Sequence, residues 1–236
     1  MCIDNIQPLI QNHLNGLASQ FQFEFCAVNM IDIEERMNSV DHDLFSVLSG
    51  TELKSWESLT LPKNKVQWIS GRYAVKSALF KYKLGNGRVM DLSCIDVVKG
   101  ADSAPYLLQY PGIHVSITHS YPYCIGVVSE TRIGIDLEAV FSPPDSLIHY
   151  FYSPNEQKQL RNHLDPEAFA IQAMIFWTRK EAVSKLLGLG MKMDFKALDT
   201  TEDQINIFGP PSGIINLASC TYNNFCLSNA FFTPTP

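Results

Sequence analysis

Phe176-Trp177-Thr178-Arg179-Lys180-Glu181-Ala182-Val183-Ser184-Lys185 packs a tryptophan, a carboxylate and two lysines into a little over two helical turns. It reads as the far half of a long helix. Asp165 suits the N-cap, Pro166 suits the first helical position, and Gly188 suits the C-terminal position that takes positive φ. Residues 169–177 are apolar almost all round, which predicts burial, and the sequence turns polar at Thr178. Glu181 and Lys185 are four apart and project from one side. Taken alone, the pair reads equally as a surface salt bridge worth roughly 0–1 kcal/mol.

Upstream, Ile133-Gly134-Ile135-Asp136-Leu137-Glu138 alternates apolar residues with Gly, Asp and Glu. That period of two predicts a strand with Asp136 and Glu138 on one face. Two carboxylates on one face repel unless a cation sits between them, and Mg²⁺ suits such a pair. An acidic edge strand exposed to solvent is the competing reading. Before that strand, Ser116-Ile117-Thr118-His119-Ser120 leads into an apolar run, Cys124 to Val128, and a polar turn at 129–132. These segments predict a hairpin, with His119 at the entry of one strand and the two carboxylates on the strand that follows.

An earlier helix is predicted from Thr60 to Leu84, with Pro62 near its start and Gly85 after its end. Arg72 and Lys76 lie four apart on one face with no acid between them. Periodicity alone reads them as a solvated basic face. Residues 21–33 and 89–98 are predicted as strands, as are 204–208, 213–219 and 225–232. Ser153, Pro154 and Glu156 form a helix-start signature. The turn at 129–132 is the natural boundary between two halves alike in outline, each with strands before and after one long helix.

The chain has 236 residues, 46% hydrophobic and 18% charged, enough for a sizeable core. Its net charge of −6 argues against a general affinity for nucleic acid. No apolar run reaches membrane-spanning length, and the first twenty residues lack a secretory pattern. Six scattered cysteines with no C-x-x-C predict free thiols and a cytoplasmic protein.

Three motifs stand in order: Thr118-His119-Ser120, Gly134-Ile135-Asp136-Leu137-Glu138, and Trp177-Thr178-Arg179-Lys180-Glu181-Ala182 with Lys185. In order and spacing they resemble the 4'-phosphopantetheinyl transferase superfamily, in its monomeric, two-lobed, surfactin-synthetase-activating group. The stretch from Ile133 to Ser142 and the Pro111-Gly112 lead-in are most similar to the enterobactin-associated subtype. The resemblance covers roughly residues 65–191.

It implies an α+β fold of two similar lobes, 1–130 and 131–236, each a long helix on a mostly antiparallel sheet, with the active site between them. The implied reaction moves 4'-phosphopantetheine from coenzyme A to a serine of an apo acyl or peptidyl carrier protein, releasing adenosine 3',5'-bisphosphate. Asp136, Glu138 and Glu181 would be the ligands of Mg²⁺, with Mn²⁺ as an alternative ion. Glu181 and Lys185 would be catalytic, Glu181 as ligand or base. Arg72, Lys76, Thr118, His119, Lys180 and Lys185 would bind coenzyme A. Where relatives commonly carry a basic residue before Pro105, this chain has Ala104, so that either one phosphate contact is lost or Lys99 compensates. Leu186, Leu187, Leu189 and Met191 are candidates for carrier docking, or else for the core. Siderophore, secondary-metabolite and fatty-acid carriers are all admissible acceptors. A metal-dependent phosphohydrolase acting on coenzyme A and a non-catalytic carrier-binding relative are the alternatives.

Overall fold

A computed structural model of the chain describes residues 8–84, 90–100, 104–162, 165–208 and 212–234. It divides into two compact units, Met1–Thr131 and Arg132–Pro236.

In the first unit, α1 (Pro8–Phe21), β1 (Phe23–Asn29), α2 (Met30–Asn38), α3 (His42–Phe45) and α4 (Gly50–Glu57) lead to the long helix α5 (Pro62–Leu84). After it come β2 (Val97–Lys99), β3 (Pro105–Leu107), β4 (His114–Ser120) and β5 (Tyr123–Ser129). The strands form one antiparallel sheet in the order β1-β5-β4-β3-β2. Helix α5 packs on one face, and Ile69, Ala74, Val75 and Ala78 meet Cys26, Val28 and Val128 in the core. The approach is close at Gly126, where an added Cβ would lie 2.6 Å from the Val75 nitrogen. Residue 126 is glycine because the helix backbone occupies that space.

The second unit runs β6 (Ile133–Ala139), α6 (Asp145–Phe151), α7 (Pro154–Leu160), α8 (Pro166–Leu187), β7 (Gln204–Ile207), β8 (Gly213–Tyr222) and β9 (Phe225–Pro234). Its antiparallel sheet has the order β6-β9-β8-β7. Helix α8 starts at an Asp165 cap that accepts from Ala168 N at 2.8 Å and ends on Gly188 with φ of 69°. Gly134 lets α8 sit against β6, since a Cβ there would lie 1.9 Å from the Ala182 carbonyl oxygen. The fold is α+β, two antiparallel sheets each carrying a long helix.

Two expectations are corrected. Residue 89 lies outside the described residues, and residues 90–98 are not one strand: a 3₁₀ turn occupies Leu92–Cys94, and only Val97–Lys99 pairs. The Asp91 carboxylate accepts from Ser93 N at 2.9 Å, a local bond that competes with a ladder. The cysteines are not all free either. Cys26 is disulfide-bonded, while Cys94, Cys124, Cys220 and Cys226 are free. No helix among the described residues is long and apolar enough to cross a membrane.

Candidate active site

Strand β6 turns Gly134, Asp136 and Glu138 toward α8, and α8 answers with Glu181 and Lys185. Lys185 Nζ pairs with Asp136 Oδ1 at 2.7 Å and donates to the Ile135 carbonyl at 3.0 Å. Asp136 is buried, Glu138 and Glu181 are partly so. Burial pushes the Glu138 carboxyl up to about 7; the Asp136 and Glu181 charges add to the rise, and Lys185 opposes it. Burial also raises Glu181, with Asp136 adding and Lys185 opposing. The three acids therefore share one field, which Lys185 opposes. Burial is the larger cause at both Glu138 and Glu181, and the neighbouring carboxylate charge comes second.

The oxygens the three acids offer are all carboxylate oxygens, the donor type that a hard divalent cation takes. Among the described residues, no group of three or more Asp, Glu, His or Cys side chains is placed where it could hold a metal ion.

Lys180, expected at a phosphate, is elsewhere. Its side chain is fully buried, paired with Glu156 Oε2 at 2.9 Å, and donates to the carbonyls of Phe195 (2.6 Å) and Leu198. An ammonium with no exposed surface and three protein acceptors cannot also take a ligand phosphate. Lys76 is corrected on the same ground. It too is fully buried, bonded to the Glu52 carboxylate and to the carbonyls of Val47 (2.6 Å) and Leu92 (3.0 Å). The acid that neutralises it comes from α4, where a helical wheel of α5 cannot show it.

Arg72 lies over the Trp68 ring, 3.9 Å from its centroid, and its Nη2 donates to the Val97 carbonyl at 3.4 Å. Burial lowers its affinity for a proton, and its buried Nε has no hydrogen bond among the described residues. His119 is exposed on β4, whereas Thr118 is buried, because successive strand residues point to opposite faces. The two do not address one ligand from the same side of the sheet. Lys99 stands opposite Pro105 in the β2–β3 ladder, next to the position where Ala104 replaces a basic residue.

Of the apolar docking candidates, Leu186 is core, while Leu189 and Met191 are exposed. Met191 borders a groove of about 670 Å³ in the second unit. Tyr150, Phe151 and Phe195 supply its apolar wall, and Lys192, Lys196 and His149 its basic groups. Arg179 was not singled out by the sequence. It ties α8 to the sheet through Ser219 Oγ (2.9 Å), the Thr200 carbonyl (2.9 Å) and Asp203 (2.6 Å).

Residues 132–219 match the model of the 4'-phosphopantetheinyl transferase superfamily, and this segment contains Asp136, Glu138, Glu181 and Lys185. The holo-[acyl-carrier-protein] synthase of Geobacillus sp. (strain WCH70) is 31% identical over 111 residues, covering 45% of this chain and 92% of the relative. That of Staphylococcus carnosus (strain TM300) is 35% identical over 86 residues, 35% of this chain and 72% of the relative. The 4'-phosphopantetheinyl transferase psf-1 of Bacillus pumilus is 32% identical over 89 residues; the match spans little more than a third of its length, 37%, and 37% of this chain. The chain belongs to the 4'-phosphopantetheinyl transferase superfamily.

Proposed function

We propose that this protein transfers the 4'-phosphopantetheine group from coenzyme A to a serine of an apo acyl or peptidyl carrier protein, releasing adenosine 3',5'-bisphosphate. The observation that carries this reading is the convergence of Asp136, Glu138, Glu181 and Lys185 within the segment that matches the family. Asp136, Glu138 and Glu181 would hold Mg²⁺, and Mn²⁺ would serve as well. The ion, when bound, supplies neutralisation of the pyrophosphate charge and fixes its orientation. Phosphoryl transfer asks the protein chiefly for positioning and for charge opposite the transferring group.

In the transfer, the bond from the serine oxygen to the β-phosphorus forms as the bond from that phosphorus to the bridging oxygen breaks. Lys185 neutralises the charge that grows on the departing oxygen. Glu181 takes the serine proton through a water. Arg72 and His119 hold the nucleotide end, the guanidinium suiting a bidentate phosphate contact. The groove flanked by Tyr150, Phe151 and Met191, with Lys192 and Lys196, suits an acidic, amphipathic helix of the carrier. Two lobes and a monomeric state fit the surfactin-synthetase-activating group. Siderophore or other secondary metabolism, in the cytoplasm, is the setting this subtype suggests.

The reading is tested by incubating the protein with coenzyme A and Mg²⁺ and measuring adenosine 3',5'-bisphosphate by chromatography, with and without an apo carrier. Release that depends on the carrier and stops with EDTA is expected. Release without a carrier would identify a phosphohydrolase instead, and no release with any of several diverse carriers would remove the enzymatic reading.

A further inference from the structure

Glu156 and Lys180 form a buried ion pair that no step above uses. Lys180 reaches it from α8, and Glu156 from the first turn of α7. Glu156 is itself held from several directions. It accepts from Ser153 N at 2.8 Å in a capping box, and from Thr200 N (2.9 Å) and Thr200 Oγ1 (2.6 Å). Ser153 Oγ reaches Asp199 at 3.1 Å. With the Phe195 and Leu198 carbonyls, Lys180 is clasped between α7 and the loop that follows α8.

We infer that this clasp is a positioning device for the carboxylate cluster: it fixes the rotation of α8 about its own axis, so that the next residue, Glu181, faces Asp136 and Glu138. Successive helical residues are turned by about 100°. Holding one side chain by three bonds therefore sets the direction of its neighbour and of Lys185 one turn on. The inference rests on the assignment of Glu181 to the site under Proposed function.

A purely stabilising role accounts poorly for the pair. Two charges taken from water recover little more than their desolvation, and an apolar pair of the same volume often does as well or better. What the pair adds here is direction, since Lys180 Nζ is held by Glu156 and by the carbonyls of Phe195 and Leu198 at once.

The first unit gives an independent observation. There Lys76 of α5 is clasped by Glu52, the N3 residue of a capping box begun by Ser49. The spacing from Glu52 to Lys76 is 24 residues, and from Glu156 to Lys180 it is the same. Glu52 accepts from Val97 N at 2.9 Å, as Glu156 accepts from Thr200 N. Ser49 Oγ bonds Asp96, as Ser153 Oγ bonds Asp199. The residue after Lys76, however, is Ser77. The clasp thus exists where no acid follows it, as expected of a device that orients a helix whatever that helix carries.

The test is the double variant Glu156→Gln/Lys180→Met, which removes both charges and keeps one acceptor oxygen, enough for the Thr200 pair or for Ser153. It is compared with wild type by thermal melting, Mn²⁺ affinity by electron paramagnetic resonance, transfer kinetics and a crystal structure. The expected variant melts cooperatively, binds Mn²⁺ at least tenfold more weakly, and loses at least tenfold in kcat with KM for coenzyme A within twofold. In its crystal structure the 3.0 Å contact from Lys185 to the Ile135 carbonyl is lost. A folded variant with wild-type Mn²⁺ affinity and kcat would overturn the inference. Should the double variant not fold, Glu156→Gln alone decides, with at least threefold weaker Mn²⁺ binding expected and an unchanged affinity overturning it. If wild type binds no Mn²⁺, the metal reading of the site falls. The clasp is then judged by the crystal structure alone: a retained Lys185–Ile135 contact overturns it and a lost one supports it.

Discussion

In the first unit Lys81 of α5 donates to the carbonyl of Phe25 at 3.4 Å; in the second, Lys185 of α8 donates to the carbonyl of Ile135 at 3.0 Å. From those anchors the two units can be laid side by side. The cross-strand row Cys26, Gly126, Ile117 corresponds to Asp136, Ser228, Ser219. The next row, Val28, Cys124, His119, corresponds to Glu138, Cys226, Thr221. On the helices, Ala74 abuts Gly126 where Thr178 bonds Ser228 at 2.7 Å. Counting from the clasped lysines, Ser77 answers to Glu181 and Arg72 to Phe176. Asp136, Glu138 and Glu181 thus stand where the first unit has Cys26, Val28 and Ser77, and Arg72 and His119 stand where the second has Phe176 and Thr221. What the units share is scaffold, and what they do not share is chemistry. The comparison separates the clasped lysines, present in both, from Glu181 and Lys185, of which only Lys185 has a counterpart of its own kind.

The comparison breaks most readily at its chemical positions. Glu181→Gln is expected to lower the transfer rate by about 10²–10³-fold, the scale seen when a group acting on transition-state charge is removed. Ser77→Ala, at the matched position, should stay within about twofold in the same assay. Equal losses would dissolve the distinction between the units.

Next come the clasps. Lys180→Met and Lys76→Met each strand a buried carboxylate, and each is expected to cost about 3–5 kcal/mol in denaturant unfolding. A loss below about 1 kcal/mol in one and not the other would show that the clasps are not equivalent.

Smaller effects should follow the glycines. An added methyl at Gly134 or Gly126 meets helix backbone at 1.9 and 2.6 Å, so alanine there should destabilise by about 1–3 kcal/mol, more at Gly134. At Gly71 the nearest atom is a methyl of Ile117 at 3.4 Å. Gly71→Ala should be neutral or stabilise α5 by up to about 1 kcal/mol. Melting temperatures that reverse this order would contradict the helix–sheet contacts.

The smallest expected effect is in acid. The hydrogen bond from Ser49, then that from Gln109, holds Asp96 below the usual carboxylate range against burial. At Asp199 burial pushes upward, and bonds from Thr201, Asn155 and Ser153 outweigh it. A lowered folded-state value means that the unfolded chain binds the proton more tightly. These groups therefore contribute stability above about pH 4 that is lost as pH falls through their folded values. Asp96→Asn and Asp199→Asn should each flatten the acid limb of the stability curve slightly, since solvent screens both carboxylates. An unchanged limb in both would remove them from the clasps.

Helix α8 was legible in the sequence because its signals are local: Asp165, Pro166 and Gly188 fix its ends. Asp136 and Glu138 were legible because a strand's period of two leaves its imprint in adjacent residues. The clasps were not, since each joins residues 24 apart on different helices, and a buried lysine has the same letter as a solvated one. The letters alone therefore admit Lys76 and Lys180 as phosphate ligands. The capping box at Ser153 was visible as a helix start, but the second use of Glu156 depends on tertiary packing. The repeat is written in a few matched letters, Ser49 and Ser153, Glu52 and Glu156, Lys76 and Lys180, and it is their hydrogen bonds that make the match recognisable.

The measurement that bears most directly on the account is the intact mass of an apo carrier protein after incubation with this protein, coenzyme A and Mg²⁺, run beside Glu181→Gln and an EDTA control. The account predicts one phosphopantetheine added to the carrier by wild type and none in either control. An unmodified carrier across several diverse acceptors, or modification that survives both controls, would contradict it.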